Sequence, residues 1–385
     1  MINPIIFIHK MFEIPRNFET PSYLSNKTIQ ILQELRDKIR NVQHIECTPT
    51  INKGLGLITS SVNCKYLPKK VFNIGIFSKL CSNAMYNFQL PSGRMIYLCF
   101  IYESFDKQKQ GLLYKNIRKW LHVLDDIANT HCSRTLKIYI ILTKAKKTLS
   151  RANKPLGEVN VSSAFTFSCK QNNEIFIYRE EEVLKVFIHE TFHSFGLDFS
   201  SMSQNGANAL LKQTFKGLDK NMDIRIYESY CETWAEVINI LIISPNSTSF
   251  QHISRCLFYE MCWSLLQCSK VLDHLKLKYS NLFDSPPNQY TDVETCSFSY
   301  YILKSICLVN LNEFILLCNS QNKQTINFKQ HLECVNNYTK FLCKFSKAKS
   351  FQESISRLQT KLHNNPKQFD LILSQTMRMS LYGTW

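Results

Sequence analysis

Val183-Leu-Lys-Val-Phe-Ile-His-Glu-Thr-Phe-His-Ser-Phe-Gly196 reads as a buried helix that carries chemistry. Val183, Leu184, Val186, Phe187 and Ile188 supply the apolar surface, and Gly196 follows where a helix C-terminus wants a residue tolerant of positive φ. His189 and His193 are four residues apart, so they project from one face about one turn apart, and two imidazoles can reach a single tetrahedral ion. Glu190, beside the first histidine, points at that ion's open position, where a general base belongs. With 10 His and 30 acidic residues in 385, the pattern His-Glu-x-x-His has a chance expectation of about 0.02. A metal site is therefore favoured over two structural histidines.

On such a helix this pattern resembles the zincin metallopeptidases, and the extended string through Gly196-Leu-Asp198 resembles their matrix-metalloproteinase type. The third histidine of that type falls at Phe199, which cannot bind metal, so a third ligand has to come from elsewhere. Tyr227-Glu-Ser-Tyr-Cys-Glu-Thr-Trp-Ala-Glu236 resembles the Glu-x-x-Ala-Glu helix of gluzincins, in which the first glutamate ligates zinc. The resemblance implies one zinc per chain held by His189, His193 and Glu232, with Glu236 supporting a zinc histidine from behind. Glu228, Glu232 and Glu236 are four apart and share one helical stripe, so the stripe alone does not choose. The rival registers are Glu228 as ligand with Glu232 behind it, or Asp198 in place of the absent histidine. The style of the chain also resembles zincin-like proteins of large cytoplasmic DNA viruses.

A gluzincin-like site also implies a tyrosine or histidine at the oxyanion. Tyr230 is the candidate, provided that the helix starts close to Glu232; Tyr227, His252 and His274 are the others.

Outward from the motif, the N-terminal flank reads as strand, helix, strand, loop and two strands. The strands are Met95 to Tyr102, Leu136 to Thr143, Val159 to Phe167 and Glu174 to Tyr178, and the helix carries Leu113, Ile117, Trp120, Leu121, Leu124 and Ile127 at helical spacing. Val159 to Phe167 is the candidate edge strand, where unpaired backbone groups can accept an extended peptide. The flank after Gly206 is helical in pattern: a helix through Glu232 stopped by Pro245, then Phe250 to Leu275, Glu294 to Cys318, Phe328 to Phe345 and Phe351 to Leu362, with Pro286-Pro287 as a break. The expected class is α+β, a zincin-like upper lobe with a twisted mixed sheet followed by a mostly helical lower lobe. Its parts are 1–90, poorly defined apart from a helix-like segment Ser25 to Arg40; 91–198 with the motif helix; and 199–385 with the third ligand. Gly54-Leu-Gly56 lacks the third glycine and following helix of a phosphate loop.

Composition narrows the function further. The net charge is +16, but the basic residues are spread widely, with one compact cluster at Lys144, Lys146, Lys147, Arg151 and Lys154, so nucleic acid is not the expected primary partner. The fifteen cysteines contain no Cys-x-x-Cys pair, which argues against a zinc ribbon or a regular disulfide framework, and their odd number points to free thiols. The opening run Met-Ile-Asn-Pro-Ile-Ile-Phe-Ile-His-Lys10 has too short an apolar stretch and no small-residue cleavage site, so a secretory signal is not expected. The most apolar long run, Ser299 to Cys318, is interrupted by Lys304, Asn310, Asn312 and Glu313. A soluble intracellular zinc peptidase acting on a protein or peptide is the expectation. The alternatives are an inactive zincin-like structural or interaction protein, and a basic nucleic-acid binder whose motif is accidental.

Overall fold

In the computed structural model, residues 3–15, 23–43, 47–54, 61–69, 82–104, 106–150, 156–245, 247–284, 290–291, 295–364 and 371–383 are described. Gly56, Arg151, Lys154, Pro286, Pro287 and Glu294, named above, lie outside these residues. Two helices, α1 (Pro4–Phe12) and α2 (Asn26–Arg40, capped by the Ser25 side chain), precede a sheet. Its strands are β1 (Thr50–Lys53), β2 (Ser82–Gln89), β3 (Met95–Tyr102), β4 (Thr135–Ile141), β5 (Ala164–Thr166) and β6 (Asn172–Ile177). The helix α3 (Lys107–Ile127) crosses from β3 to β4. The motif helix α4 (Val183–Ser194) follows β6. The helical half comprises α5 (Asn205–Thr214), α6 (Ile226–Ile243), α7 (Phe250–His274), α8 (Lys304–Val309), α9 (Leu311–Gln321), α10 (Leu332–Ser346) and α11 (Lys349–Asn364).

The sheet runs β1-β2-β3-β4-β6-β5. β3, β4 and β6 are parallel, which requires a crossover such as α3, while β1, β2 and β5 pair antiparallel. The sheet is mixed. The parallel strands are apolar on both faces because both are covered: Ile96, Leu98, Phe100, Ile138 and Ile140 face the main core, and Cys99, Ile101, Tyr139, Ile141 and Phe176 form a second cluster with Leu67. β2 and β3 are a hairpin whose turn needs Gly93 at φ 90°. The sheet thus extends into the segment before residue 91, and α1 and α2 pack on helices of the C-terminal half, α1 on α7 and α2 on α6 and α9. One continuous core spans Phe7 to Leu381.

Two elements differ from expectation. Val159 to Phe167 is not one strand: Glu158–Val161 is a helical turn, and only Ala164–Thr166 pairs. Arg179 takes the carbonyls of Val159 and Ser162 at 2.7 and 3.0 Å, which removes them from any ladder. The described part of the expected helix Glu294 to Cys318 is not one helix either. A π-helical turn, Phe298–Leu303, leads into α8, and the chain then bends by 92° before α9. The break is at Asn310, whose side-chain amide donates to the Ile306 carbonyl at 2.8 Å. No single helix among the described residues is long and apolar enough to cross a membrane; this bent pair alone passes by length and composition together.

Twelve cysteines are free among the described residues, but Cys132 and Cys169 form a disulfide. It ties the loop before β4 to the loop before β6 at the C-terminal end of α4, where the Cys169 N–H donates to the His193 carbonyl at 3.0 Å. Ser133 Oγ donates to the Ser194 carbonyl at 2.7 Å beside it. Gly196 has φ 66°, which a side chain rarely adopts, and a Cβ there would crowd the Cys132 sulfur at 3.1 Å. Closing a loop of this size constrains the unfolded chain, so reduction should cost about 2–4 kcal/mol of stability, read as a fall in the urea midpoint. An unchanged midpoint on reduction would show that the bridge contributes nothing.

Candidate metal centre

Helix α4 presents Lys185, His189 and His193 on one side at four-residue spacing, and α6 presents Glu228, Glu232 and Glu236. The two helices pack against each other antiparallel, because the rising series on one meets the falling series on the other: Lys185 meets Glu232, and His193 meets Glu228. All six side chains are at least nine-tenths buried except His193, which keeps a 12% opening to solvent.

The two histidines converge. Nε2 of His189 and Nε2 of His193 lie 3.2 Å apart, and Glu228 Oε2 lies 3.1 Å from the first and 3.4 Å from the second. Behind them, His189 Nδ1 lies 2.8 Å from Glu232 Oε2, a close approach rather than an aligned hydrogen bond, and His193 Nδ1 meets Asp198 Oδ2. A carboxylate near each Nδ1 favours a ring proton there, so that each neutral ring keeps its lone pair on Nε2. Three lone-pair atoms therefore face one another within 3.4 Å. Such a set is stabilised by positive charge among its members, a ring proton or a metal ion. For bonds of about 2.0–2.1 Å the edge of a tetrahedron is about 3.3 Å, which is the spacing of these atoms. The residues fit a metal ion of zinc's size and ligand preference.

The electrostatics agree. Burial alone would lower the His189 pKa, but contacts with Glu228 and Glu232 outweigh it and raise it to about 9. Burial likewise opposes ionisation of Glu228, yet the two imidazoles hold its carboxyl far below the usual range. The pocket calls for positive charge. Glu190 lies beside this centre without a hydrogen bond to any described residue; burial raises its pKa, and the histidines partly offset that.

The register expected on α6 is shifted by one turn. Glu232, expected at the metal, forms a buried ion pair with Lys185 and backs His189, while Glu228 Oε2 is the third corner of a triangle with the two Nε2 atoms. Glu236, expected behind a histidine, pairs instead with Lys304 Nζ at 2.6 Å. Asp198, a rival for the ligand, supports His193 and is itself held by the Ser200 N–H and hydroxyl at 3.1 and 2.9 Å. Cys231 Sγ stands 3.6 Å from Asp198, so His193, Asp198 and Cys231 form a second buried cluster that shares a histidine with the first.

Tyr230 is not at the site. It is wholly buried on the far side of α6, donating to the Ile326 carbonyl at 3.0 Å and accepting from Asn322. The helix begins at Ile226, six residues before Glu232, which turns Tyr230 away. His274 contacts Ser150, and neither it nor His252 lines the centre. Tyr227 packs edge-on against His193, ring centroids 5.9 Å apart. The residue that sequence reasoning missed is Tyr300, whose hydroxyl donates to Glu228 Oε2 at 3.1 Å. It sits on the π-helical turn, a local widening with no simple periodicity to betray it. Burial and the neighbouring carboxylates Glu228, Glu190 and Glu232 raise its pKa well above that of a free tyrosine, so it remains a donor. A cavity of about 50 Å³ adjoins the centre, lined by Glu190, Ser163, Ala164, Tyr300 and Met379 among others.

No protein-family model, curated protein or solved structure matches the chain, so the reading of the centre rests on its own residues.

Changing His189 or His193 to Ala should abolish tight zinc binding measured by titration against a chelator. Glu228→Gln should weaken binding most among the acidic positions, whereas Glu232→Gln and Asp198→Asn should each cost about 10- to 100-fold, as for partners that orient a ligand. If Glu232→Gln lost more zinc affinity than Glu228→Gln, the shifted register would be contradicted.

Proposed function

We propose that the protein is a zinc-dependent peptidase of zincin-like design, with His189, His193 and Glu228 as the metal ligands and Glu190 as the general base. The observation that carries this reading is the convergence of three donor atoms at tetrahedral spacing beside a buried, unengaged glutamate. When bound, zinc supplies a water acidified to about neutral pKa and polarises a carbonyl oxygen. Glu190 accepts the proton of the attacking water and returns it to the leaving amine; burial raises its pKa toward the range in which a carboxyl does both. The Tyr300 hydroxyl, kept protonated by its surroundings and donating to Glu228 in the free site, turns from Glu228 to donate to the developing oxyanion, the part assigned from sequence to Tyr230. β5 pairs only with β6 and lies at the end of the sheet, and Ser163 and Ala164 at its start line the cavity with Glu190. This edge supports an extended peptide as the substrate, because its unpaired N–H and C=O groups suit peptide backbones generally.

A second reading, an inactive protein that keeps the metal to hold its two helices together, is favoured by the small cavity, which has room for about one or two waters. The two readings part on activity.

Glu190→Gln should abolish hydrolysis of a peptide library while retaining zinc, because the amide keeps the size but cannot take a proton. Tyr300→Phe should lower kcat by about 10²-fold with little change in KM, as for loss of one oxyanion donor. Zinc-loaded wild type that cleaves nothing in the library would overturn the peptidase and leave the structural reading.

A further inference from the structure

Behind the metal centre, a cavity of about 580 Å³ lies among α3, the start of α4, the end of α6 and the C-terminal residues Tyr382 and Gly383. Its floor is apolar, with Leu113, Leu184 and Ile242 buried in it. At its mouth Leu112 and Ile243 are 53% and 38% exposed, among the few large apolar side chains that the described residues leave open to water.

The polar lining is one-sided. Lys115, Lys119 and Lys185 line the cavity, and no aspartate or glutamate does. Lys185 is already committed to Glu232. Lys115 and Lys119 are one turn apart on α3, so their ammonium groups share a side of the helix, where like charges repel. Neither forms an ion pair with a described residue. Partial burial, Lys115 and Arg40 all lower the pKa of Lys119, the mark of an uncompensated positive region.

We infer that this cavity binds a single-chain anionic amphiphile, a long-chain carboxylate whose tail fills the apolar floor and whose head pairs with Lys115 and Lys119. The volume lies within the range of small-molecule sites, about 300–1,000 Å³, which are mainly apolar with a few placed polar groups. A peptide is a poorer occupant. The walls are helix sides and not strand edges, so the backbone groups of an extended peptide would go unpaired. One of the lining amides, Asn239, is already spent on the Tyr382 carbonyl at 3.1 Å. A hydrocarbon tail makes no such demand. The inference does not rest on the catalytic reading, although the cavity touches the metal centre through Lys185, which lines both spaces.

The test is calorimetric titration of the full chain with dodecanoate, below its micelle concentration, against dodecanol and dodecyltrimethylammonium. Dodecanoate should bind saturably at one per chain, and the neutral and cationic chains at least about tenfold more weakly, the worth of one charge-assisted contact. Lys115→Glu with Lys119→Glu should weaken dodecanoate by about tenfold or more and leave dodecanol unchanged, and Ile243→Asp should weaken both. Lys220→Glu, an exposed lysine outside the cavity, should change nothing. Equal binding of all three head groups, no saturable dodecanoate binding, indifference to the double charge reversal, or a cavity closed by a second copy of the chain in sedimentation would each overturn the proposal.

Discussion

Charge buried between α4 and α6 constrains the rest of the molecule. Seven ionisable side chains, Lys185, His189, His193, Glu228, Glu232, Glu236 and Lys304, meet where almost no water reaches. Removing one partner from such a pair typically costs about 3–5 kcal/mol, because the other charge is left stranded. Each carboxylate must therefore have its own cation: Glu236 has Lys304, Glu232 has Lys185, and Glu228 is left to the two histidines. In the proposed reading, the cation that completes the Glu228 set is a metal ion held by those histidines.

The same constraint explains why the last residues of the described chain thread through the core. The Met379 carbonyl accepts from Lys304 at 3.0 Å, the Ser380 N–H donates to Glu182 at 2.6 Å, and the Leu381 N–H donates to Glu260 at 3.0 Å. Glu182 in turn pairs with Lys147, the one described member of the basic sequence cluster that is buried. Gly383 packs so closely on Glu182 that a Cβ would come within 2.4 Å of its side chain. This segment supplies the hydrogen bonds that the charged groups need once they have left water, and in doing so it links the sheet to the helical half.

Much of this could be read from residues alone. The parallel strands were legible because both faces are covered, which turns them into apolar runs, and α4 because its histidines fall on an apolar helix. The ligand register was not. The Glu-x-x-Ala-Glu pattern favours Glu232 when only the carboxylate stripe is weighed, but Lys185, a charge set in the apolar run one turn before His189, has to be paired as well and takes Glu232 for itself. That lysine was the available signal. Tyr300 and the 92° bend at Asn310 had none of comparable strength, since a π turn and a side chain capping its own helix leave the apolar pattern intact. The short β5 was obscured in the same way, its neighbours drawn off by Arg179 from a separate segment.

The proposed chemistry depends on which atoms surround the metal ion. A crystal structure of the zinc-loaded protein, phased on the zinc anomalous signal, tests it most directly. It should place one ion between Nε2 of His189, Nε2 of His193 and a carboxylate oxygen of Glu228, at bonds of about 2.0–2.1 Å, with Glu232 still on Lys185 and Asp198 still on His193. Zinc bound by Glu232, or held at about 2.3 Å by the Cys231 sulfur with Asp198, would contradict it.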